Sequence, residues 1–582
     1  MSEWIAKDLS PWDEEGISKD MVDSSEELYD ICDGDMLRFQ IVNGTLWVFH
    51  ISGQAGGWYP AVLGPGNVAA KGRVPYALLL LMQTLRAFPG QIPDVDAVWQ
   101  TGDFTCIRRG VDMGMERKGP GGGPRTLKQG RLIEDVESAA DETRGAHTLL
   151  GAAQETSSLD FSAGHSGRQN SQSSSKRKPK AAPLPLPMFS YTTSADVYDL
   201  PLPDYTYLGH EYHYLVAPGG TPAQGWDAQA LLLATKYGNV ALRDRLPQAV
   251  WRGRLRDKVY PHRDRLRRTL VDCARELEVS GRPEDAALME LDAGRPLSLQ
   301  EFPDFRYQLH IEPQAWVSNL RHKLAGGSVV LTLGLTYFEW FSRALVSGEH
   351  FMDLEESSAA RCERVVAAVR AMNRAIAAAG PELPGGGEIT PTLKAAAKAR
   401  GRLQRRMMIG PGGGQREGLE EDRYYRKGER EHAADEEASS HEKYGAEKAG
   451  NSSGDPAPAP LALRSLQQRT LDPAADDAAA LAALPRKVQE GLSKPWTIAN
   501  KGREFVQSKV TVVQALLYTR DMLRAYAARQ RFAPSPHPKA VCYDGERLLQ
   551  QFAVPYSQDR QSVERAYPWL VSHGGNCPQK TE

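Results

Sequence analysis

Three groups of residues in this sequence have side chains of the kinds that bind or activate an anionic substrate. Asp103 follows the apolar stretch VDAVWQ, and Arg252, Arg254 and Arg256 follow a second stretch, QAVW. A third stretch, FRYQLHI, leads into a helical pattern at 315–325. Short runs rich in Val, Phe, Tyr and Trp are typical of strands. Each group therefore stands at the carboxyl end of a predicted strand.

The chemistry available at such strand ends is phosphate binding and proton transfer. In open sheets of parallel strands, ligands bind outside the carboxyl ends. A helix N-terminus and arginines suit a diphosphate, because free N–H groups, the helix dipole and guanidinium pairing all favour the anion. A carboxylate such as Asp103 is ionised at neutral pH and can act as a general base. Taken singly, an aspartate after a strand also suits a turn, and an arginine cluster also suits a solvated surface.

The elements that must position these groups alternate between strand and helix. Such alternation predicts an α/β fold with parallel sheets. Ahead of them, LRFQIV-NG-TLWVFH predicts a β-hairpin whose Asn43-Gly44 pair suits a type I′ turn. The predicted strands lie at 95–100, 248–251, 305–311 and 328–333. The predicted helices lie at 74–88, 227–236, 262–278, 315–325 and 337–345, with more through 476–530.

Length and composition divide the chain into segments. Its 582 residues predict two or three domains, at roughly 100–200 residues each. Two regions, about 110–183 and 380–470, are poor in apolar residues, so they cannot bury enough surface to fold alone. We interpret both as disordered insertions. The predicted domains are 14–217 with the first insertion, 218–354, a helix and second insertion at 355–475, closing helices at 476–530, and a tail at 531–582.

Charge, cysteine spacing and hydropathy narrow the function classes. A net charge of −2 gives no whole-chain case for nucleic acid or an anionic membrane. The most apolar run, 74–88, is too short to span a bilayer and contains Arg86. The acidic N-terminus lacks the apolar core of a secretory signal. Six cysteines form no C-x-x-C pair, which leaves open whether they are free or bridged.

Common phosphate and metal signatures are missing from the sequence. It contains no Walker motif, and GPGN at 64–67 is only half of a dinucleotide fingerprint. A D-x-D occurs at 94–96, where a strand is predicted to begin. We expect neither a metal nor a cofactor.

The order of these pieces resembles glycosyltransferase family 90, of the capsule-associated-protein type that is also called protein O-glucosyltransferase-like. The resemblance covers most of the ordered chain, and the predicted insertions fall between its blocks. The matching blocks are IPDVDAVWQTGDF, LPMFSYTTSADVYDLPLPDY, QAVWRGR, FRYQLHIEPQAWVSNLRHKLAGGSVVL, YFEWFSRALVSGEHFMDL and IANKGREFVQSKVTVVQALLYTRDMLRAYA.

The resemblance implies a GT-B type fold, in which two Rossmann-like domains face each other across a cleft. It also implies an inverting transfer of glucose or xylose from a UDP-sugar to a hydroxyl of a protein or glycan acceptor. Asp103 of the TGDF block would be the general base, and arginines would neutralise the departing UDP. The UDP-sugar is a co-substrate, and no metal is expected.

The resemblance also implies which residues bind the donor. One departure from the family stands out, because many members have Ser and Arg where this chain has Val317 and Asn319. Asn319 cannot supply the charge of that arginine, so Ser318 or Arg321 would have to compensate. The implied donor-binding residues are Trp251, Arg252, Gly253, Arg256, Ala315, Trp316, Ser318, Asn319, Arg321 and Glu339.

Location and activity each have a second interpretation. Family members act in the secretory pathway, so the resemblance implies the lumen of the endoplasmic reticulum or Golgi. The missing signal segment implies either an incomplete N-terminus or a cytoplasmic protein. The second functional interpretation is a degenerate family member that binds a glycan or protein without catalysis. Asn319 favours that interpretation, while Asp103 and the WRG block favour the enzyme.

Overall fold

Two β-sheets organise the part of the chain that the computed structural model describes. Both belong to one compact unit, made of Met1–Glu388 and Ala480–Glu582. A second unit, Ile389–Ala479, is described only from residue 473 onward, where it is helical. The described residues are 1–30, 36–53, 57–60, 73–102, 105–107, 185–209, 225–253, 255, 265–292, 297–312, 319–354, 361–379, 473–482, 484–552, 557–572 and 577. Both predicted insertions lie outside them.

Short strands and helices follow each other along the described residues. The strands are β1 Met36–Val42, β2 Thr45–Gly53, β3 Gly57–Pro60, β4 Val95–Gln100, β5 Phe189–Ser190, β6 Leu200–Pro201, β7 Leu246–Arg252, β8 Met289–Asp292, β9 Phe305–His310, β10 Val329–Thr332, β11 Met352–Asp353 and β12 Val541–Cys542. The α-helices are Ser2–Leu9, Lys19–Glu26, Arg73–Ala87, Trp226–Tyr237, Arg265–Val279, Pro283–Ala286, Leu320–Ala325, Arg361–Ala378, Pro473–Ala482, Arg486–Leu492, Pro495–Lys509, Val512–Ala527, Gly545–Phe552, Ser557–Ala566 and Trp569–Ser572.

The first sheet is built on the predicted hairpin. β1 and β2 pair antiparallel, and the φ angles of Asn43 and Gly44 between them are 51° and 72°. Positive φ at both central residues is the mark of the type I′ turn that an Asn-Gly pair favours. β4 lies antiparallel along the other edge of β1. The hairpin and the predicted strand at 95–100 are confirmed.

The first sheet is mixed rather than purely parallel, which corrects the sequence prediction. Its strand order is β12-β2-β1-β4-β5-β6, with β3 paired to β2. Only β4, β5 and β6 pair parallel. The reason lies in the connections, because a two-residue turn can join only antiparallel neighbours.

The second sheet is parallel throughout, as predicted. Its order is β11-β10-β9-β7-β8, and every pair is parallel. Val250 on β7 pairs with Gln308 on β9, and His310 at the end of β9 pairs with Thr332 at the end of β10. The carboxyl ends of these strands therefore meet at one edge of the sheet. This edge is where the sequence predicts ligand binding.

Two large hydrophobic cores pack against the sheets, and one helix of the C-terminal region contributes to both. The core of the first sheet includes Trp99, Phe189 and Val506. The core of the second includes Leu309 and Ile498. Val506 and Ile498 both lie on the helix Pro495–Lys509, which thus stabilises both sheets. The predicted C-terminal helices are confirmed as elements.

The helix predicted at 337–345 is wrong. This segment holds only a single 3-10 turn, Ser342–Ala344. Phe338 instead forms an antiparallel bridge with Thr193, with its N–H donating at 2.7 Å and its carbonyl accepting at 3.0 Å. Trp340, which is buried, donates its ring N–H to the hydroxyl of Tyr207 at 3.0 Å. The N–H and carbonyl of Phe338 bond to Thr193 and are not available to a helix. Tertiary contacts therefore override the local helix propensity of this segment.

Two further predictions are met in part. The predicted helix 262–278 is observed as Arg265–Val279, and the predicted helix 315–325 as Leu320–Ala325, since residues 313–318 lie outside the description. β8, with the sequence MELD, was not predicted. Four residues with two charges give too weak a period for a sequence pattern.

The described cysteines are bridged. Cys273 is bonded to Cys362 with a Cα–Cα distance of 6.2 Å, and Cys542 to Cys577 with 5.7 Å. Cys106 is also in a disulfide. Among the described cysteines, none is a free thiol. The structure therefore decides the question that the sequence left open.

Candidate functional site

The sequence-predicted site residues divide into two sets. Asp103 and the donor residues Arg256, Ala315, Trp316 and Ser318 lie outside the described residues. Their assigned roles stay predictions. The donor residues that the structure describes are Trp251, Arg252, Gly253, Asn319, Arg321 and Glu339.

The WRG block stands at the carboxyl end of β7, but its arginine is already engaged. Arg252 Nη2 lies 2.6 Å from Oε1 of Glu290 on the neighbouring strand β8, and its Nη1 donates to the Glu290 carbonyl at 2.7 Å. Only 7% of the Arg252 side chain is exposed. A Cβ on Gly253 would lie 2.5 Å from the Trp251 ring, so the tight exit from the strand requires glycine. Arg252 therefore braces β7 against β8.

Arg321 is buried and neutralised by residues of a preceding block. Its guanidinium pairs with the Asp204 carboxylate and donates to the Thr206 hydroxyl. The Glu339 carboxylate lies 3.9 Å away, and the Tyr207 ring centroid 4.0 Å away. Burial opposes the charge, but the field and hydrogen bonds of Asp204 outweigh it and hold the pKa of Arg321 above its usual value.

The Arg321 cluster limits what Arg321 and Glu339 can do for a ligand. Both oxygens of Asp204 receive guanidinium N–H groups, and the Arg321 side chain has no exposed surface. Glu339 is 6% exposed and faces the same guanidinium. Arg321 thus forms an internal ion pair, and its role at a donor stays a prediction.

A different set of polar residues lies between β9 and the helix Leu320–Ala325. Gln308 and His310 alternate along β9 and are buried. Both amide atoms of Gln308, Nδ1 of His310 and Oδ1 of Asn319 lack a hydrogen-bond partner within the described residues. Asn319 lies beside the His310 ring, close enough to favour its charged form, yet neither of these two atoms reaches hydrogen-bonding geometry. We call Gln308, His310, Asn319 and Lys323 the β9 polar seam.

Lys323 is the charged member of the β9 polar seam. Its ammonium donates to the Leu309 carbonyl at 2.7 Å and is 3% exposed. No carboxylate pairs with it among the described residues. Burial, together with the nearby charge of Arg267, lowers the pKa of Lys323 to about 7. Burial and the Lys323 charge likewise lower the pKa of His310 well below its usual value.

Arg267 brings a second cation to the same edge of the sheet. It lies on the helix Arg265–Val279, with its guanidinium 5.6 Å from the Trp251 ring centroid. Its Nη2 donates to the carbonyl of Ile311, the residue after β9, at 3.4 Å. Two cations therefore approach the end of β9, and the charge of Arg267 makes the charged form of Lys323 less favourable.

Sequence reasoning missed Gln308, His310, Lys323 and Arg267. A signal was present, because Gln308 and His310 occupy alternate positions of a predicted strand, where a buried face is normally apolar. Lys323 stands among Leu320, Leu324 and Ala325 on a helix that is buried throughout. A lysine in such a place is rarely fully buried unless it is paired.

The described residues near Asp103 are held firmly. Gln100 and Thr101, at the end of β4, have no exposed surface. On the far side, the backbone N–H groups of Cys106 and Ile107 donate to the two oxygens of Asp199 at 2.9 and 2.8 Å. Burial raises the pKa of Asp199 to about 7, although these N–H groups favour its ionised form. Asp199 is a further residue that sequence reasoning missed.

Cations gathered at the carboxyl edge of a parallel sheet are typical of α/β proteins that bind an anionic ligand there. The family model for Glycosyl transferase family 90 matches residues 161–380, which confirms the resemblance inferred from the sequence. This match indicates a glycosyltransferase, an enzyme class that takes a sugar donor and an acceptor. It includes the second sheet and the β9 polar seam, whereas Asp103 precedes it.

No curated protein matches the chain. Within the described residues, no helix has both the length and the apolar character needed to cross a bilayer.

Proposed function

We propose that this protein is an inverting glycosyltransferase that moves glucose or xylose from a UDP-sugar to a hydroxyl group of a protein or glycan. The observation that carries the proposal is Lys323, a buried cation without a carboxylate partner among the described residues, beside Arg267 at the carboxyl edge of a parallel sheet. A diphosphate would supply the negative charge that Lys323 lacks among the described residues. The family match supports the reaction class.

The proposed reaction assigns one role to Asp103 and another to the cations. The acceptor oxygen attacks the anomeric carbon from the face opposite UDP, so the configuration inverts. The bond from that carbon to the β-phosphate oxygen breaks, and its electron pair leaves with UDP. Asp103 takes the hydroxyl proton as the new bond forms. Lys323 and Arg267 balance the charge that develops on the diphosphate.

The same proposal extends to the fold and to the remaining donor contacts. The two sheets would belong to the two halves of a GT-B fold, with the donor held between them. Arg256 and the residues from 315 to 318 would complete the donor site from the segments that flank the edge. No metal or cofactor is part of the proposal.

We also propose that the protein works in the lumen of the endoplasmic reticulum or Golgi. The disulfides Cys273–Cys362 and Cys542–Cys577 support this location, as does the disulfide-bonded Cys106. Structural disulfides persist in oxidising compartments and are rare in the cytosol. The alternative location, the cytoplasm, predicts that the same cysteines are found reduced in protein isolated from its native cells.

The test is release of UDP from UDP-glucose and UDP-xylose, with binding of UDP measured separately. We expect Asp103→Asn to lower turnover about 100-fold or more and to leave UDP binding unchanged, because only proton transfer is lost. We expect Lys323→Met to weaken UDP binding about 10–100-fold, the range of a hydrogen bond to a charged group. Lys236→Met is the matched control, since Lys236 is exposed on another helix.

The second candidate function is that of a glycan-binding or protein-binding relative without catalysis. The capture of Arg252 by Glu290 and of Arg321 by Asp204 favours it, because both arginines are withdrawn from a donor. Tight UDP binding without turnover on either donor would support this candidate. Normal turnover by Asp103→Asn would show that the assignment of the base is wrong.

A further inference from the structure

The buried carboxylate of Asp199 accepts two backbone hydrogen bonds from the chain just after the predicted base. Oδ1 accepts the N–H of Cys106 at 2.9 Å and Oδ2 accepts the N–H of Ile107 at 2.8 Å. In return, the N–H of Tyr198 donates to the Ile107 carbonyl at 2.7 Å. Residues 105–107 are thus bound by two side-chain bonds and one backbone bond to the stretch before β6.

The Asp199 carboxylate is unusual because no cation compensates it. It is 1% exposed, and within the described residues no lysine or arginine pairs with it. Asp96 and Asp204, which are equally buried, each have an arginine. The groups that meet Asp199 are the amides of Cys106, Ile107 and Asp199 itself and the Ser190 hydroxyl. A buried carboxylate that is held mainly by backbone N–H groups fixes those N–H groups in place.

The described residues on both sides of residue 103 are anchored. On one side, Gln100 pairs with Met36 in the antiparallel ladder between β4 and β1. On the other side, Cys106 is held by Asp199 and by a disulfide. Between Gly102 and Thr105, the nearest described residues, only residues 103 and 104 remain. A reacting group that moves by about 1 Å can lose 100-fold in rate, so such anchoring matters for a base.

We propose that Asp199 is a positioning residue for the proposed base, because it fixes residues 105–107, which begin two positions after residue 103. This inference rests on the proposed function, in which Asp103 takes the acceptor proton. Asp199 does not touch the substrate in this scheme. Its carboxylate form is required, because only an ionised carboxylate accepts both N–H groups without placing a hydrogen against one of them.

The experiment compares Asp199→Asn with the wild type in UDP release and in hydrogen exchange of the peptide 101–109. We expect kcat to fall about 10–100-fold with KM for the UDP-sugar unchanged, since donor binding lies elsewhere. We also expect faster exchange of the Cys106 and Ile107 amides. In the wild type, kcat should decline as the pH falls through about 7, and this limb should be missing from Asp199→Asn. Asp285→Asn is the control for the loss of a buried carboxylate outside the site; unlike Asp199, Asp285 pairs with Arg282 and Arg370.

Each outcome decides the inference. Unchanged kcat and unchanged exchange in Asp199→Asn overturn it, and so does an equal loss of kcat in Asp285→Asn. If Asp199→Asn does not fold, hydrogen exchange of the wild type decides, because rapid exchange of the Cys106 and Ile107 amides overturns the inference. If the wild type releases no UDP from any donor, the proposed function fails. Hydrogen exchange then decides alone whether Asp199 fixes residues 105–107.

Discussion

Arg321 and Lys323 lie two residues apart on one short helix, and their electrostatic surroundings are opposite. Both are buried, with exposures of 0% and 3%. Arg321 faces Asp204 and Glu339, which hold its pKa above the usual value. Lys323 faces Arg267 and a backbone carbonyl, and its pKa is lowered to about 7. Burial alone therefore does not tell a structural cation from a ligand-binding one.

The difference between the two residues lies in whether the protein supplies the opposite charge. A buried cation with its own carboxylate is complete, and removing either partner leaves the other stranded. A buried cation without one costs stability, and a protein keeps such a cost mainly where a ligand or a reaction uses it. Three variants test this contrast.

The largest effect is expected for Arg321→Met. The change leaves the Asp204 carboxylate buried without its partner, which typically costs about 3–5 kcal/mol. Denaturant unfolding monitored by tryptophan fluorescence measures the loss. The double variant Asp204→Asn with Arg321→Met should recover most of it, since both charges are then gone. Wild-type stability of Arg321→Met would mean that the pair is not structural.

Lys323→Met is expected to act in the opposite direction, with a clear pH dependence. The folded pKa of Lys323 is about 7, and an unfolded lysine titrates near 10.4. Between these values the unfolded chain holds a proton that the folded chain lacks, so wild-type stability rises with pH. The penalty is complete below pH 7, where the shift corresponds to at most about 4.6 kcal/mol. Because Met also leaves the Leu309 carbonyl without its donor, at a cost of about 1–3 kcal/mol, Lys323→Met should be more stable than the wild type by about 2–3 kcal/mol.

Thermal unfolding at pH 6 and at pH 9.5 measures this prediction. The advantage of Lys323→Met should shrink between the two, whereas Lys236→Met should show no such trend. Saturating UDP sharpens the contrast, because the wild type gains more binding energy than the variant. A variant that is less stable than the wild type at pH 6 would show that Lys323 is a structural cation like Arg321.

The smallest effect is expected for Glu290→Gln, which loosens Arg252. The Glu290 side chain is 40% exposed, so the loss should stay within about 1 kcal/mol. Arg252 would then be freer to turn toward a phosphate, and UDP binding should be unchanged or up to about threefold tighter. Isothermal titration calorimetry with UDP measures the affinity of the variant and of the wild type. Clearly weaker binding would mean that the Arg252–Glu290 pair shapes the donor site as it stands.

The elements could be predicted from sequence where local signals agree with tertiary packing. The hairpin follows from Asn43-Gly44, and the parallel sheet from its strand-and-helix alternation. The helix predicted at 337–345 fails because Phe338 finds its partner in Thr193, far away along the chain. Hydrophobic periodicity cannot predict such a contact, since it depends only on residues that are near each other in sequence.

The candidate site was less predictable than the fold, for an electrostatic reason. The resemblance places Arg252 and Arg321 at a donor, but Glu290 and Asp204, their partners, lie 38 and 117 residues away. A sequence shows that a residue is charged and does not show what neutralises it. The sequence does not predict a role for Lys323 for the same reason, because only the structure shows that no described carboxylate pairs with it.

The helix Pro495–Lys509 has a consequence for how the chain is made. It contributes to both cores, and β12, at Val541–Cys542, pairs with β2 near the other end of the chain. Neither half can finish folding until almost the whole chain has left the ribosome. At about 5–20 residues per second that wait lasts tens of seconds, during which the first half exposes apolar surface. Synthesis in a cell should therefore depend on chaperones that shield the nascent chain.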